Sequence, residues 1–149
     1  MKIIIGADHR GFALKEDLKM FLEAEGHDVH DVGATEYDST DDYPDFALTV
    51  GELVAVSPDA RGILLCGSAT GVMIAANKVP GVRAVAAYDE DLAREAREHE
   101  DVNVLALSAD RTDQDMARLI TATFLTTPFS AEERHMRRLK KIAQFELGE

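Results

Sequence analysis

The sequence predicts an α/β fold, a five-stranded parallel sheet covered by helices on both faces, with a further helix at the C-terminus. Three observations predict it. Short β-branched runs alternate with apolar stripes of helical period along the whole chain. The joints between them are short, as strand–helix units of a parallel sheet require. The joints that follow strands carry small and polar residues, as they do at the ligand-binding edge of a doubly wound sheet.

Each element has its own signal. Lys2 to Gly6 (KIIIG) reads as the first strand and ends in ADHRG. Phe12, Leu14, Leu18, Phe21 and Leu22 recur at helical spacing and stop near Gly26, which predicts the first helix. His27 to Val32 is a second, more polar strand, with His27 and His30 expected on one face. Glu36 to Pro44 (EYDSTDDYP) is too acidic for a core, and Pro44 opens a helix carrying Phe46, Ala47, Val50, Leu53 and Val54. Gly62 to Leu65 is the third strand, and a third helix begins at Val72. Val82 to Ala87 and Val102 to Leu107 are the fourth and fifth strands. Glu90 to His99 and Asp113 to Phe124 are the helices that follow them. Pro128 breaks the chain, and Ala131 to Phe145 forms the last helix.

Bulk properties narrow the function. A chain of 149 residues without repeat or linker is read as one domain over residues 1–149 with a single core. Its net charge of −12 argues against nucleic acid and anionic membranes as partners. The single cysteine cannot form an internal disulfide, and no leader or membrane-length apolar run is seen. A soluble cytoplasmic protein is expected.

The chemistry concentrates after the strands. In CGSATG, Cys66 ends an apolar run and Gly67, Ser68, Ala69, Thr70 and Gly71 lead into a helix. Backbone N–H groups in such a turn can bind an anion, although a tight turn without a ligand has the same look. Negative charge is stabilised at a helix start, which suits a thiol asked to shuttle a proton; a small buried hydrophobe is the plainer role for Cys66. Asp8 and His9 sit at the same sheet edge. A His next to an Asp can bind a phosphate or move protons, and Asp8 can instead cap the next helix. His99 lies among Glu95, Glu98, Glu100 and Asp101, as a reactive histidine or a solvated helix end. No Cys/His spacing suggests a metal site. The last helix packs Arg134, Arg137, Arg138, Lys140 and Lys141 into eight residues. Arg134 and Arg138 share a face there, for a phosphate or for neighbouring acids.

Taken together, GADHRGF, DYPDFA, GILLCGSATGVMIAANK, GVRAV, HEDVN and RHMRR resemble type B ribose-5-phosphate isomerase, a family that includes galactose-6-phosphate isomerase subunits. The resemblance spans essentially the whole chain. It implies a Rossmann-like α/β/α sandwich, a homodimer or tetramer with sites shared between subunits, and no metal or cofactor. The implied reaction is aldose–ketose isomerisation of a sugar phosphate through a cis-enediolate, with ribose 5-phosphate and ribulose 5-phosphate as the default pair. On matching positions, Cys66 becomes the acid/base; members without this cysteine carry a Glu where Val72 stands here. Gly67 to Gly71 form the anion hole, with the Ser68 hydroxyl assisting. Asp8 and His99 open the sugar ring. His9, Arg134 and Arg138 bind phosphate, and Tyr43 borders the sugar. Three positions depart from the family pattern: Ala69 for a glycine, Glu100 for an asparagine, and Asp110 for a phosphate-binding arginine, with Arg111 one residue late. An alanine at 69 is strained unless its φ is negative. A different tetrose, pentose or hexose phosphate, or a non-catalytic sugar-phosphate-binding subunit, is the alternative.

Overall fold

The computed structural model describes all residues, 1–149. The elements run β1 (Lys2–Ala7), α1 (Phe12–Ala24), β2 (Asp28–Asp31), α2 (Tyr43–Ala55), β3 (Arg61–Cys66), α3 (Thr70–Ala76), β4 (Ala84–Ala86), α4 (Glu90–Glu100), β5 (Val104–Ser108), α5 (Gln114–Thr126) and α6 (Glu133–Glu146). The five strands form one sheet in the order β2-β1-β3-β5-β4, and every neighbouring pair is parallel. This is the predicted α/β architecture. No helix is long and apolar enough to cross a membrane.

Strand alternation divides the core in two. Ile3, Ile5, Ile63, Leu65, Leu105 and Leu107 face α1, α4 and α5. Ile4, Leu64, Cys66, Val104 and Ala106 face α2 and α3. Successive strand residues point to opposite faces, so two adjacent residues of β3, Leu65 and Cys66, serve different layers. The strand order reverses between β1 and β3. Ligands of doubly wound sheets bind at the carboxyl ends of strands flanking such a reversal, and the loops there begin at Asp8 and Gly67.

Several boundaries differ from the sequence reading, among them the start of α6 at Glu133 rather than Ala131, which has φ 54; three more have local reasons. β4 is shortened to three residues because the Val82 N–H closes a turn onto Val79 O at 3.1 Å and the Arg83 N–H donates to the Asn103 side chain at 2.8 Å. β5 starts at Val104, after Asp101 adopts a left-handed conformation with φ 46. α3 begins at Thr70, two residues early, because Ala69 makes the turn itself with φ 70 and ψ −18. The pairing of His27 with His30 fails: His27 precedes β2 and is half-buried, whereas His30 is exposed, as a spacing of three demands in a strand.

Lys15 of α1 is 0% exposed and was not singled out in the sequence. Its Nζ donates to Glu16 and Asp31 at 2.6 Å each. Burial pushes the Asp31 carboxyl up, but hydrogen bonds from Lys15, the Gly33 N–H and Lys19 outweigh it, so Asp31 lies below the usual carboxylate range.

Candidate active site

β3 delivers Cys66 to the sheet edge, 4% exposed and unpaired with any other thiol. The chain then turns through Gly67, Ser68 and Ala69 into α3. The carbonyls on one side of this turn are occupied. Cys66 O accepts from the Ala109 N–H at 2.9 Å. Gly67 O accepts from the Asp110 N–H at 3.1 Å and from Ser108 Oγ at 2.7 Å. The donors are open: the N–H groups of Gly67, Ser68, Ala69, Gly71 and Val72 have no partner in the chain, and only Thr70 N–H is engaged, by Ser68 Oγ at 3.3 Å. Such a turn offers its amides to an anion. Tyr88 Oη steadies it by donating to Ser68 O at 3.0 Å.

Around Cys66 lies a hollow of about 460 Å³ that includes Asp8, Tyr43, Gly67, Ser68, Thr70 and Gly71. Seven of the sequence-predicted residues are therefore assembled in one place. Ala69 is wholly buried behind the turn. Gly71 has to be small, because a Cβ there would stand 2.7 Å from Tyr43 Cζ. Val72 is wholly buried in the apolar layer and offers no acid or base.

Asp8 is buried, and its Oδ1 accepts from the N–H groups of Arg10 and Gly11 at 3.0 Å each. It holds the β1–α1 turn, while Gly11 is the N-cap residue of α1. His9 is fixed by Asp41. Asp41 Oδ1 lies 3.0 Å from the His9 backbone N and 2.7 Å from Nδ1. A carboxylate only accepts, so Nδ1 carries the proton and Nε2 is left for a ligand. Asp8, His9 and Asp41 bring ligand atoms within 4.8 Å of one another. The Oδ1 atoms of Asp8 and Asp41 accept from the chain's own N–H donors, and Asp41 Oδ2 is buried without a partner.

The other predicted residues stand elsewhere in the same chain. His99 and Glu100 border a separate hollow of about 480 Å³ between β4, α4 and α6. His99 stacks on His135 of α6, ring centroids 4.6 Å apart and planes 8° from parallel. His135 is 5% exposed, with neither ring nitrogen partnered. Arg134 and Arg138 are exposed; Arg134 Nε lies 3.0 Å from Glu132. One chain thus carries two separate clusters, Cys66 with Asp8 near one hollow and His99 with His135 beside another.

Sequence reasoning missed Asp41, Arg10 and His135. Asp41 is hidden in an acidic loop read as solvated. Arg10 had a signal, since it directly follows Asp8 and His9, but its direction is not encoded in spacing. His135 stood inside a cluster read for its arginines.

Comparisons with known proteins bear on the family and the fold. The Ribose/Galactose Isomerase family profile matches residues 3–142. Ribose-5-phosphate isomerase B of Mycolicibacterium paratuberculosis is 40% identical over 146 residues, 98% of this chain and 92% of the relative. A crystal structure of ribose-5-phosphate isomerase B from Mycoplasma genitalium with bound ribulose-5-phosphate superposes with a TM-score of 0.95 at 39% identity, covering 99% of this chain and 97% of the other. The corresponding Clostridium thermocellum protein gives 0.94 at 43% identity, covering 99% of both chains. On the family profile, the relatives and the shared fold, this chain belongs to the ribose/galactose isomerase family.

Proposed function

We propose that this protein interconverts ribose 5-phosphate and ribulose 5-phosphate, with Cys66 as the acid/base. The observation that carries the reading is the thiol at the end of β3 beside a turn whose amides are free to receive an oxyanion. The Cys66 thiolate removes the proton on C2 of the open-chain aldose. The C–H electron pair forms the C1–C2 double bond, and the carbonyl electrons move onto O1. The enediolate charge lies against the N–H groups of Gly67 to Gly71, assisted by the Ser68 hydroxyl. Cys66 returns the proton at C1 while the O2 proton passes to O1, which yields the ketose.

Ring opening and phosphate binding need residues that one chain does not bring to Cys66. A second copy of the chain supplies His99, Arg134 and Arg138 in this reading, so the active unit is at least a homodimer. The apolar exposure of Tyr43, Ile74 and Tyr88 beside the hollow, and of Leu92, Met136 and Ile142 near α4 and α6, supports such an interface. In the completed site His99, stacked on His135, works with Asp8 on the ring oxygen and the anomeric hydroxyl. His9 Nε2 joins the arginines on the phosphate, Tyr43 borders the sugar, and Glu100 flanks His99.

The test is direct. Purified protein is supplied with ribose 5-phosphate and, in parallel, with tetrose and hexose phosphates, and ketose formation is followed. Cys66→Ala should lower turnover by about 10²–10⁴, the usual worth of general acid–base catalysis, with substrate affinity retained. Near-normal turnover of the variant on the best substrate would end the assignment of Cys66.

A further inference from the structure

Within one chain the Cys66 hollow has a single cationic wall, Arg10. Its place is closely set. The Arg10 N–H donates to Asp8 Oδ1 at 3.0 Å. Its guanidinium lies against the backbone of Gly67, where a Cβ would stand 2.7 Å from Cζ, 2.8 Å from Nε and 2.9 Å from Nη1. The guanidinium thus occupies the space that a side chain at 67 would enter. Nη2 pairs with Asp110 Oδ2, beyond the end of β5. Nε and Nη1 have no partner in the chain, and Arg10 also borders a neighbouring hollow with Ala109 and Thr112. Arg111, one residue past Asp110, is exposed and borders neither hollow.

Stability does not account for the arrangement. The two side chains are 57% and 44% exposed, and a pair at that exposure contributes about 0–1 kcal/mol. Geometry accounts for it better. A guanidinium has five N–H donors in a planar fork suited to phosphate. One donor is held by Asp110, which fixes the plane, and unpaired donors remain beside the hollow that contains Cys66.

We infer that Arg10 is a phosphate-binding and specificity-determining residue: its guanidinium, held by Asp110, takes the phosphate end of a substrate whose reacting carbons lie at Cys66. The inference rests on the sugar-phosphate isomerase reading above. It gives the Cys66 half-site its own cation, opposite those of the second copy, and so sets how far from Cys66 a phosphate is held. Asp110 keeps the fork in place and offsets its charge before substrate arrives.

The experiment measures kcat and KM with ribose 5-phosphate, and the Kd of inorganic phosphate by calorimetry. The proteins are wild type, Arg10→Ala, Arg10→Lys, and the exchange Arg10→Asp with Asp110→Arg; thermal melts confirm folding. Arg10→Ala should raise KM and the phosphate Kd about tenfold or more, the loss expected for a charged hydrogen bond, with kcat little changed. Arg10→Lys should retain part of the affinity. The exchange should recover part of it, because it returns a guanidinium to the same pair from the other strand end. Unchanged KM and phosphate Kd in Arg10→Ala overturn the inference and leave a surface ion pair only. Loss of melting temperature in step with affinity, with no recovery in Arg10→Lys or the exchange, overturns it as a folding effect. If wild type does not convert ribose 5-phosphate, the proposed reaction fails by itself, and the phosphate titrations decide Arg10 independently.

Discussion

Ala69 stores backbone strain that can be measured against a residue two turns away. Ala69 and Ala76 are both 0% exposed and lie in the same apolar layer. They differ in backbone: Ala69 has φ 70, and Ala76 closes the right-handed helix α3. The left-handed region costs an alanine roughly 1–2 kcal/mol. Ala69→Gly removes that cost. It also removes a buried methyl, worth about 0.8 kcal/mol, and frees the unfolded chain by about 0.4–1 kcal/mol. The terms offset, so Ala69→Gly should lie within about 1 kcal/mol of wild type. Ala76→Gly has no strain to release and loses the methyl and helix propensity together, about 2 kcal/mol. Guanidinium unfolding of the three proteins, with equal m-values, gives the comparison. In thermal scans each kcal/mol is about 2–4 °C in Tm for a chain of this size. Equal losses for the two variants would refute the strain argument.

Two further outcomes follow from other parts of the molecule. Asp31 lies below the usual carboxylate range when folded, so its contribution to stability is full above the unfolded value and is lost as pH falls through the folded one. Asp31→Asn should therefore destabilise at neutral pH and flatten the fall in stability below about pH 4; an unchanged acid limb in urea melts would contradict the Lys15–Asp31 account. The proposed site shared between two copies predicts complementation. A hybrid of one Cys66→Ala chain and one His99→Asn chain, isolated by two affinity tags, holds one intact site and should show roughly half of wild-type activity. Activity no higher than that of the parent variants would exclude a site built from two copies.

Much of the fold was legible because the signals are local. The stripe Leu14, Leu18, Leu22 is buried as its spacing requires, and Ile3 to Ile5 lie wholly inside as a two-sided parallel strand should. The ends were less legible, since they depend on particular partners and turns: Asn103 takes the Arg83 N–H just before β4, and Ala69 starts α3 early. The site divides the same way. Cys66, Asp8 and Tyr43 converge because the motifs that carry them follow strands that neighbour each other, or flank those strands. His99 and Arg138 share a helix pair on another side of the molecule, which no spacing within one chain reveals. The Lys15–Asp31 and His9–Asp41 pairs join residues 16 and 32 positions apart. Their meeting is a product of the sheet, not of either segment.

The link between β5 and the turn after β3 separates two properties at one residue. Asp110 holds Gly67 O through its main chain, and Arg10 through its side chain. Main-chain donation is indifferent to residue type, proline apart, so replacement at 110 leaves the amides beside Cys66 aimed as they are. The same replacement alters what stands at the far rim of the hollow. If Cys66 moves the proton and Arg10 takes the phosphate, as proposed, substrate range and proton transfer can change independently in this scaffold, because one position gives its backbone to the turn after β3 and its side chain to Arg10.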